Sequence, residues 1–138
     1  MSGAPASENQ IRELIQTMQL LQQRLEALQQ QGNMIQLSLQ DLDNSLKALS
    51  ELESKESGHE MMVPIGAGSY VYATVANPGR VLVNLGAGVS MEKSVADSKS
   101  VLQSRRTELE KVLLETTGAM EQTEGELVRL QQEAEKYR

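Results

Sequence analysis

Two long stretches of the chain place apolar residues at alternating steps of three and four, and they flank a shorter stretch with a different pattern. In the first stretch, eleven of twelve successive positions are apolar and Gly32 is the exception. This heptad pattern predicts a coiled-coil helix whose seam winds around a partner with a left-handed supercoil. Ser7 followed by Glu8 fits a helix N-cap, so we expect a helix over residues 8–56, preceded by disorder over residues 1–7. The seam comprises Ile11, Leu14, Met18, Leu21, Leu25, Leu28, Gly32, Ile35, Leu39, Leu42, Leu46 and Leu49.

The second helical stretch covers residues 92–137, with Ser90 in a position that fits its N-cap. Its apolar seam is weaker, because polar residues interrupt the best register at Lys99, Arg106, Thr116 and Thr123. Pairing with another helix must therefore support it. At 1.5 Å per residue each helix would extend on the order of 70 Å. Equal lengths on either side of an insert predict an antiparallel coiled coil.

Gly32 leaves a hole in the first seam and costs about 1 kcal/mol of helix propensity relative to Ala. Two interpretations remain open: a flexible point in the helix, or a level at which another helix packs closely. Folding the chain about its centre places Gly32 roughly opposite Gly118. This placement predicts a slim or bendable level in the coiled coil.

The stretch between the helices contains four short runs rich in β-branched and other apolar residues, at 60–65, 70–75, 80–85 and 88–91. The breaks between them repeat, since Ile65-Gly-Ala-Gly and Leu85-Gly-Ala-Gly lie twenty residues apart, with Asn77-Pro-Gly midway. Glycine tolerates the positive φ of tight hairpin turns, and Pro followed by Gly suits the centre of a type II turn. The pattern predicts two tandem β-hairpins within residues 60–91.

These predicted strands carry almost no charge, because only Glu60 and Arg80 are charged between Ser57 and Met91. Exposed strand edges of monomers usually carry charges that discourage edge-to-edge pairing. We therefore expect the hairpins to assemble with other subunits. The residues expected to form this assembly surface are Val63, Ile65, Tyr70, Val71, Tyr72, Val75, Val81, Leu82, Val83, Leu85 and Val89.

Apolar residues near both ends of the chain exceed what the seam of two helices can bury. They are Ile11, Leu14, Ile15, Met18, Leu20, Leu21, Leu127, Val128 and Leu130. In one interpretation Ile15, Leu20 and Val128 are solitary surface residues, which are common in soluble proteins. In the other, flexible apolar side chains at the free end of a coiled-coil arm hold the exposed hydrophobic surface of other proteins. The second interpretation is our working hypothesis for a client-binding tip.

Composition narrows the function class. The 138 residues suit a single domain, but Phe and Trp are absent, which argues against a compact globule with a large core. A net charge of -6 disfavours nucleic acid and anionic lipid as partners, because both require positive charge facing phosphate. Without Cys there are no disulfides and no thiolate metal sites.

No apolar run approaches the roughly 20 residues that span a bilayer, and residues 1–10 lack a signal-peptide pattern. We expect a cytoplasmic protein that does not contact the membrane.

Catalytic motifs are missing as well. His59 is the only histidine and lies at a predicted helix-to-strand junction. The Gly66-Ala-Gly-Ser run precedes a strand and lacks the Lys-Ser/Thr pair of a phosphate-binding loop. The carboxylate clusters fit solvated helix faces with lysines four residues away. We therefore expect no enzyme activity, no cofactor and no metal.

The central residues resemble one family closely. Val63-Pro-Ile-Gly-Ala-Gly-Ser-Tyr70 and Asn84-Leu-Gly-Ala-Gly-Val89, set between two heptad helices, are similar to the alpha subunits of archaeal prefoldins. The paired hairpins carry this distinction, because the beta subunits of the family have only one. The resemblance covers nearly the whole chain.

The resemblance implies an α+β fold, in which a long antiparallel two-helix coiled coil carries two tandem β-hairpins that form an intersubunit β-barrel. It also implies a hexamer of two alpha and four beta subunits. The activity it implies is that of a chaperone without ATP, which holds unfolded polypeptides at coiled-coil tips and delivers them to a group II chaperonin.

Two other function classes stay open. A structural scaffold or tether would also need heptads and an assembling sheet, but it would bind one defined partner instead of many unfolded ones. An RNA-binding helical arm, like those appended to some synthetases, would need a basic stripe that the acidic composition does not provide. We rank the RNA-binding arm last.

Overall fold

The computed structural model describes residues 3–137, with side chains from residue 8 onward. In chain order, two antiparallel hairpins lie between two long helices, α1 and α2, as the sequence predicted. Contacts group the chain into a terminal unit, up to Ser38 and from Leu109 onward, and a hairpin unit, Leu39–Glu108. The elements are α1 (Gly3–Glu53), β1 (Glu60–Gly66), β2 (Ser69–Thr74), β3 (Arg80–Gly86), β4 (Val89–Ser94) and α2 (Val95–Glu135).

The predicted seam of α1 is confirmed at all twelve positions, each of which is buried or half-buried. The helix begins at Gly3, before the predicted cap at Ser7, and ends at Glu53, before the predicted end at residue 56. Pro5 is tolerated in the first turn because the backbone N–H that it lacks would have no partner inside the helix. The predicted disorder at residues 1 and 2 lies outside the described residues.

In the terminal unit, the two helices run antiparallel. The hydroxyl of Tyr137 donates to Oε1 of Gln10 at 2.9 Å, and Nε2 of Gln31 donates to Oγ1 of Thr116 at 3.4 Å. As residue numbers rise on α1, those of their partners in α2 and the turn that follows it fall. The core of this unit contains Leu25, Ile35, Leu127 and Leu130.

Two of the four polar residues in the α2 seam, Thr116 and Thr123, are buried with their hydrogen bonds satisfied. Each hydroxyl donates to the backbone carbonyl four residues earlier, at 2.8 Å for Thr116 and 2.7 Å for Thr123. Burying a hydroxyl costs little free energy once it has such a partner. The weak seam of α2 is therefore compatible with a dry helix interface.

The pairing of Gly32 corrects a prediction. Gly32 is buried opposite Thr116, whose Cγ2 would lie 3.9 Å from a Cβ built on the glycine. Gly118 is exposed and has no atom within 4 Å of such a Cβ. The packing register decides which residues meet, and counting from the centre of the chain misplaced the partner by two residues.

The other two polar residues of the α2 seam, Lys99 and Arg106, form ion pairs with α1 in the hairpin unit. Nζ of Lys99 lies 3.3 Å from Oε1 of Glu53, and the guanidinium of Arg106 binds both carboxylate oxygens of Asp43. These contacts also run antiparallel. They confirm the prediction that helix pairing supports the second seam.

The start of α2 differs from the prediction. Strand β4 continues through Glu92 and Lys93, because these residues pair with Leu82 and Val81 of β3. The N-cap is therefore Ser94, whose Oγ accepts the backbone N–H of Asp97 at 3.1 Å, and Ser90 lies inside the strand. Ser90 has a suitable side chain for an N-cap, but its strand pairs with β3, so the helix begins later.

Both hairpins close with the same turn. Ala67 and Gly68 connect β1 to β2 with φ of 51° and 73°, and both angles positive correspond to a type I′ turn. A register shift precedes each turn, between Pro64 and Gly66 in the first hairpin and at the equivalent positions in the second. The twenty-residue sequence repeat is thus a structural repeat: Ala67 and Ala87 both adopt the left-handed conformation, and the glycines on either side of each take positive φ without steric cost.

The connection between the hairpins is not the predicted type II turn. The N–H of Arg80 donates to the carbonyl of Asn77 at 3.4 Å, so Pro78 and Gly79 are the central residues. Gly79 does not have the positive φ that a type II turn requires. Instead, its N–H donates to Oδ1 of Asn77 at 3.0 Å, and this side-chain contact stabilises the alternative turn.

Candidate functional site

The two hairpins present apolar side chains to solvent, in the places where the sequence predicted an assembly surface. Eight of the eleven predicted residues are exposed: Val63, Ile65, Tyr70, Val71, Tyr72, Leu82, Leu85 and Val89. Val75 and Val81 are half-buried, and Val83 is buried. The structure therefore exposes most of this surface and places Val83 in the core of the hairpin unit.

The exposure follows from how few strands each sheet has. Each sheet contains two strands, so each leaves its outer edges without a strand partner among the described residues. A free two-stranded hairpin is marginally stable in water. Contact with α2 helps to hold the second hairpin, where the guanidinium of Arg105 donates to the carbonyl of Asn84. Exposed apolar faces beside unpaired edges are suited to adding strands from other subunits.

Sequence reasoning missed three exposed apolar residues of the hairpins, Met61, Met62 and Met91. They lie within the predicted strands, so their position was available as a signal. Methionine is flexible and packs against irregular surfaces. These side chains extend the exposed apolar area of both hairpins.

The nine residues proposed for a client-binding tip divide by burial. Leu20 is 66% exposed, and Ile15 and Val128 are also exposed. Leu127 and Leu130 are buried in the seam, where they support the coiled coil. The remaining four, Ile11, Leu14, Met18 and Leu21, are half-buried. The accessible part of the predicted tip therefore consists of Ile15, Leu20 and Val128, which lie outside the seam.

An ion pair in the hairpin unit, Arg106 with Asp43, joins the two helices. The hydrogen bond from Arg106, together with its charge, lowers the pKa of Asp43 below the ordinary value of a carboxyl group. The same hydrogen bond raises the pKa of Arg106. This exposed pair is consistent with the antiparallel register of the helices.

Residues 3–137 contain no cluster of three or more His, Asp or Glu side chains that could hold a metal ion. His59 is exposed and lines a shallow groove with Glu51, Leu52 and Met61. Within the same range, neither helix has a segment long and apolar enough to cross a bilayer.

Comparison with known proteins agrees with this geometry. The family model described as prefoldin subunit matches residues 21–137. The prefoldin subunit alpha of Methanothrix thermoacetophila is 42% identical over 108 residues, which cover 78% of this chain and 71% of that protein. The prefoldin subunit alpha of Methanosarcina mazei is 38% identical over 130 residues, which cover 92% of each chain.

A solved structure shares the fold. The cryo-EM structure of filamentous PFD from Methanocaldococcus jannaschii superimposes with a TM-score of 0.73 at 19% identity, over 83% of this chain and 95% of that one. At this identity the similarity concerns the fold alone. The matched family model and the curated relatives identify the sequence, and this chain belongs to the prefoldin family.

Proposed function

We propose that this chain is a chaperone subunit that assembles through its hairpins and holds unfolded polypeptides on apolar side chains near its two ends. Prefoldins are chaperones, and membership of the family gives the general function. The observation that carries the proposal is the coexistence of two exposed apolar surfaces, one on the hairpins and one near the chain ends. The first serves assembly and the second serves client binding.

The proposed assembly is a hexamer of two alpha subunits like this one and four single-hairpin beta subunits, located in the cytoplasm. Its hairpins would form an intersubunit β-barrel, which would bury Ile65, Tyr72 and Leu82, all exposed in the single chain. Burying one large apolar side chain contributes about 1.5–3 kcal/mol. Many such residues on each hairpin pair would offset the entropic cost of association.

Clients would contact Ile15, Leu20 and Val128, which are accessible without opening the coiled coil. Holding would be passive and would use no ATP, since the Gly66-Ala-Gly turn leads into a strand and lacks the residues of a phosphate-binding loop. Each contact would be weak, and several arms acting together would give useful avidity. The held client would then pass to a group II chaperonin.

The proposal is tested with Ile15→Ser, Leu20→Ser and Val128→Ser combined in one chain and assembled with a beta subunit. The measurement is suppression of aggregation of two unrelated, chemically unfolded proteins at equal oligomer concentration. A matched control carries Leu37→Ser and Leu114→Ser, which remove comparably exposed apolar side chains outside the predicted tip.

We expect the triple variant to keep its oligomeric mass and to protect both clients less, with partial activity remaining on the beta arms. An unchanged protection with unchanged mass would contradict the client-binding assignment. Protection of neither client by the intact assembly would favour a scaffold or tether that binds one defined partner.

A further inference from the structure

A groove in the terminal unit lies between one flank of α1 and the neighbouring face of α2. It has a volume of about 460 Å³ and is lined by eight residues. Ala27, Met34 and Ile35 contribute from α1, and Leu109 and Val112 from α2. The heptad analysis did not predict it, because Ile35 is the only α1 residue of the lining that belongs to the seam, and the others lie beside it.

The groove is uncharged. None of its eight lining residues is acidic or basic, and α1 has no charged residue from 27 to 40, although 23% of the chain is charged. Gln31, on the rim, donates to Oγ1 of Thr116 at 3.4 Å, which fixes this part of the wall to α2. Such a surface favours an occupant without charge, because its lining residues offer a charged group no ion pair.

The α1 wall of the groove lies on the same flank of the helix as one exposed residue of the predicted tip. Leu20, Ala27 and Met34 are spaced by seven residues, so they lie along one flank of the helix. Met34 is 69% exposed, slightly more than Leu20 at 66%. A flexible methionine at this place can adapt to different apolar side chains.

The size of the groove indicates what it can hold. A stable subunit interface needs about 20–30 residues on each side. Eight residues are too few for that, but they match a short peptide segment that is held transiently and released. A second copy of the chain would need a much larger complementary surface than this groove offers.

We infer that this groove is a second client-holding site, which takes a short, uncharged, apolar segment of an unfolded polypeptide. The inference rests on the proposed chaperone function and extends the client surface from Leu20 along α1 to Met34. Clients would be selected by charge as well as by hydrophobicity. A segment with an acidic or basic residue at its centre would be held less well.

The experiment compares Met34→Gln with two matched controls, Leu37→Gln and Leu114→Gln. Leu37 and Leu114 are 67% and 75% exposed and do not line the groove, so the three substitutions remove similar exposed apolar surface. Each full-length chain is assembled with a beta subunit, and its mass is measured. The probe is a fluorescent twelve-residue peptide of Leu, Ala and Gln, compared with the same peptide carrying two central Glu residues.

We expect Met34→Gln to weaken binding of the uncharged peptide about fivefold, and the two control variants to weaken it less than twofold. The acidic peptide should bind the intact assembly at least fivefold more weakly than the neutral one. Equal losses in all three variants would overturn the inference, since they would indicate non-specific adhesion. A change of oligomeric mass in Met34→Gln alone would also overturn it, because the groove would then hold a subunit.

The results distinguish a wrong assignment of the groove from a wrong assignment of the chaperone function. If Met34→Gln binds normally while the combined variant at Ile15, Leu20 and Val128 loses binding, clients contact the chain ends only, and the groove assignment is wrong. If the intact assembly neither binds the peptide nor protects unfolded proteins, the proposed function itself is wrong.

Discussion

Replacing Gly32 by Ala tests the packing of the coiled-coil seam directly. Gly32 is buried inside α1, and a Cβ placed on it would lie 3.9 Å from Cγ2 of Thr116, which is an ordinary van der Waals distance. Its φ is not positive, so Ala can adopt the same backbone conformation. The substitution should therefore fill the hole in the seam without a clash.

The expected gain has two parts. Ala is more favourable than Gly in a helix interior by about 0.8–1.0 kcal/mol. The buried methyl group adds up to about 0.8 kcal/mol. Gly118→Ala is the control, because Gly118 is exposed and a methyl group there would contact nothing within 4 Å, so it gains helix propensity alone. We expect about 1–2 kcal/mol for Gly32→Ala and about 1 kcal/mol for Gly118→Ala.

The assay is urea unfolding of the assembled protein, followed by circular dichroism at equal subunit concentration. The midpoint should rise more for Gly32→Ala than for Gly118→Ala, with unchanged slopes. A lower midpoint for Gly32→Ala would refute the reasoning. It would show that α2 approaches Gly32 too closely to leave room for an added methyl group. A higher midpoint combined with reduced protection of clients would instead identify Gly32 as a flexible point that the chaperone uses.

Three further predictions concern assembly, electrostatics and capping. Val71→Lys places a charge on an exposed face of the first hairpin, so we expect light scattering to show loss of the oligomer while circular dichroism shows unchanged helix content. Arg106→Met removes both the hydrogen bond and the charge that lower the pKa of Asp43, so NMR titration should show this pKa returning toward the ordinary value of a carboxyl group. Because the folded-state pKa is the lower one, the pair stabilises the protein above about pH 4, and this contribution is lost as the pH falls through the folded-state pKa; an unchanged Asp43 titration would contradict the assignment. Ser94→Ala removes the acceptor for the N–H of Asp97 and should destabilise α2 by about 1 kcal/mol, whereas an unchanged unfolding midpoint would argue against Ser94 as the cap.

Local pattern was sufficient to predict the elements of this protein and its family. A seam that repeats every 3.5 residues can bury its apolar side chains only against another helix, so the residues from Ile11 to Leu49 could be assigned to a coiled coil without a structure. The Gly-Ala-Gly breaks predicted the hairpins, because glycine adopts the positive φ of a tight turn without steric cost. The hairpin motif also resembled the prefoldin family, to which the comparisons assign the chain.

Tertiary packing decided the details that depend on distant residues. Ser90 and Ser94 are both acceptable caps locally, and pairing of β4 with β3 selected Ser94. The interhelical register placed Thr116, not Gly118, opposite Gly32.

Packing also divided the apolar residues near the chain ends. Leu127 is 6% exposed and belongs to the core, while Val128 beside it faces solvent, because successive residues of a helix point in directions about 100° apart. The groove at Met34 depends on side chains from both helices at one level, Ile35 and Val112 among them. Heptad spacing along one helix specifies the direction of each side chain but not which residues of the other helix it meets, and for that reason only the folded structure revealed the groove.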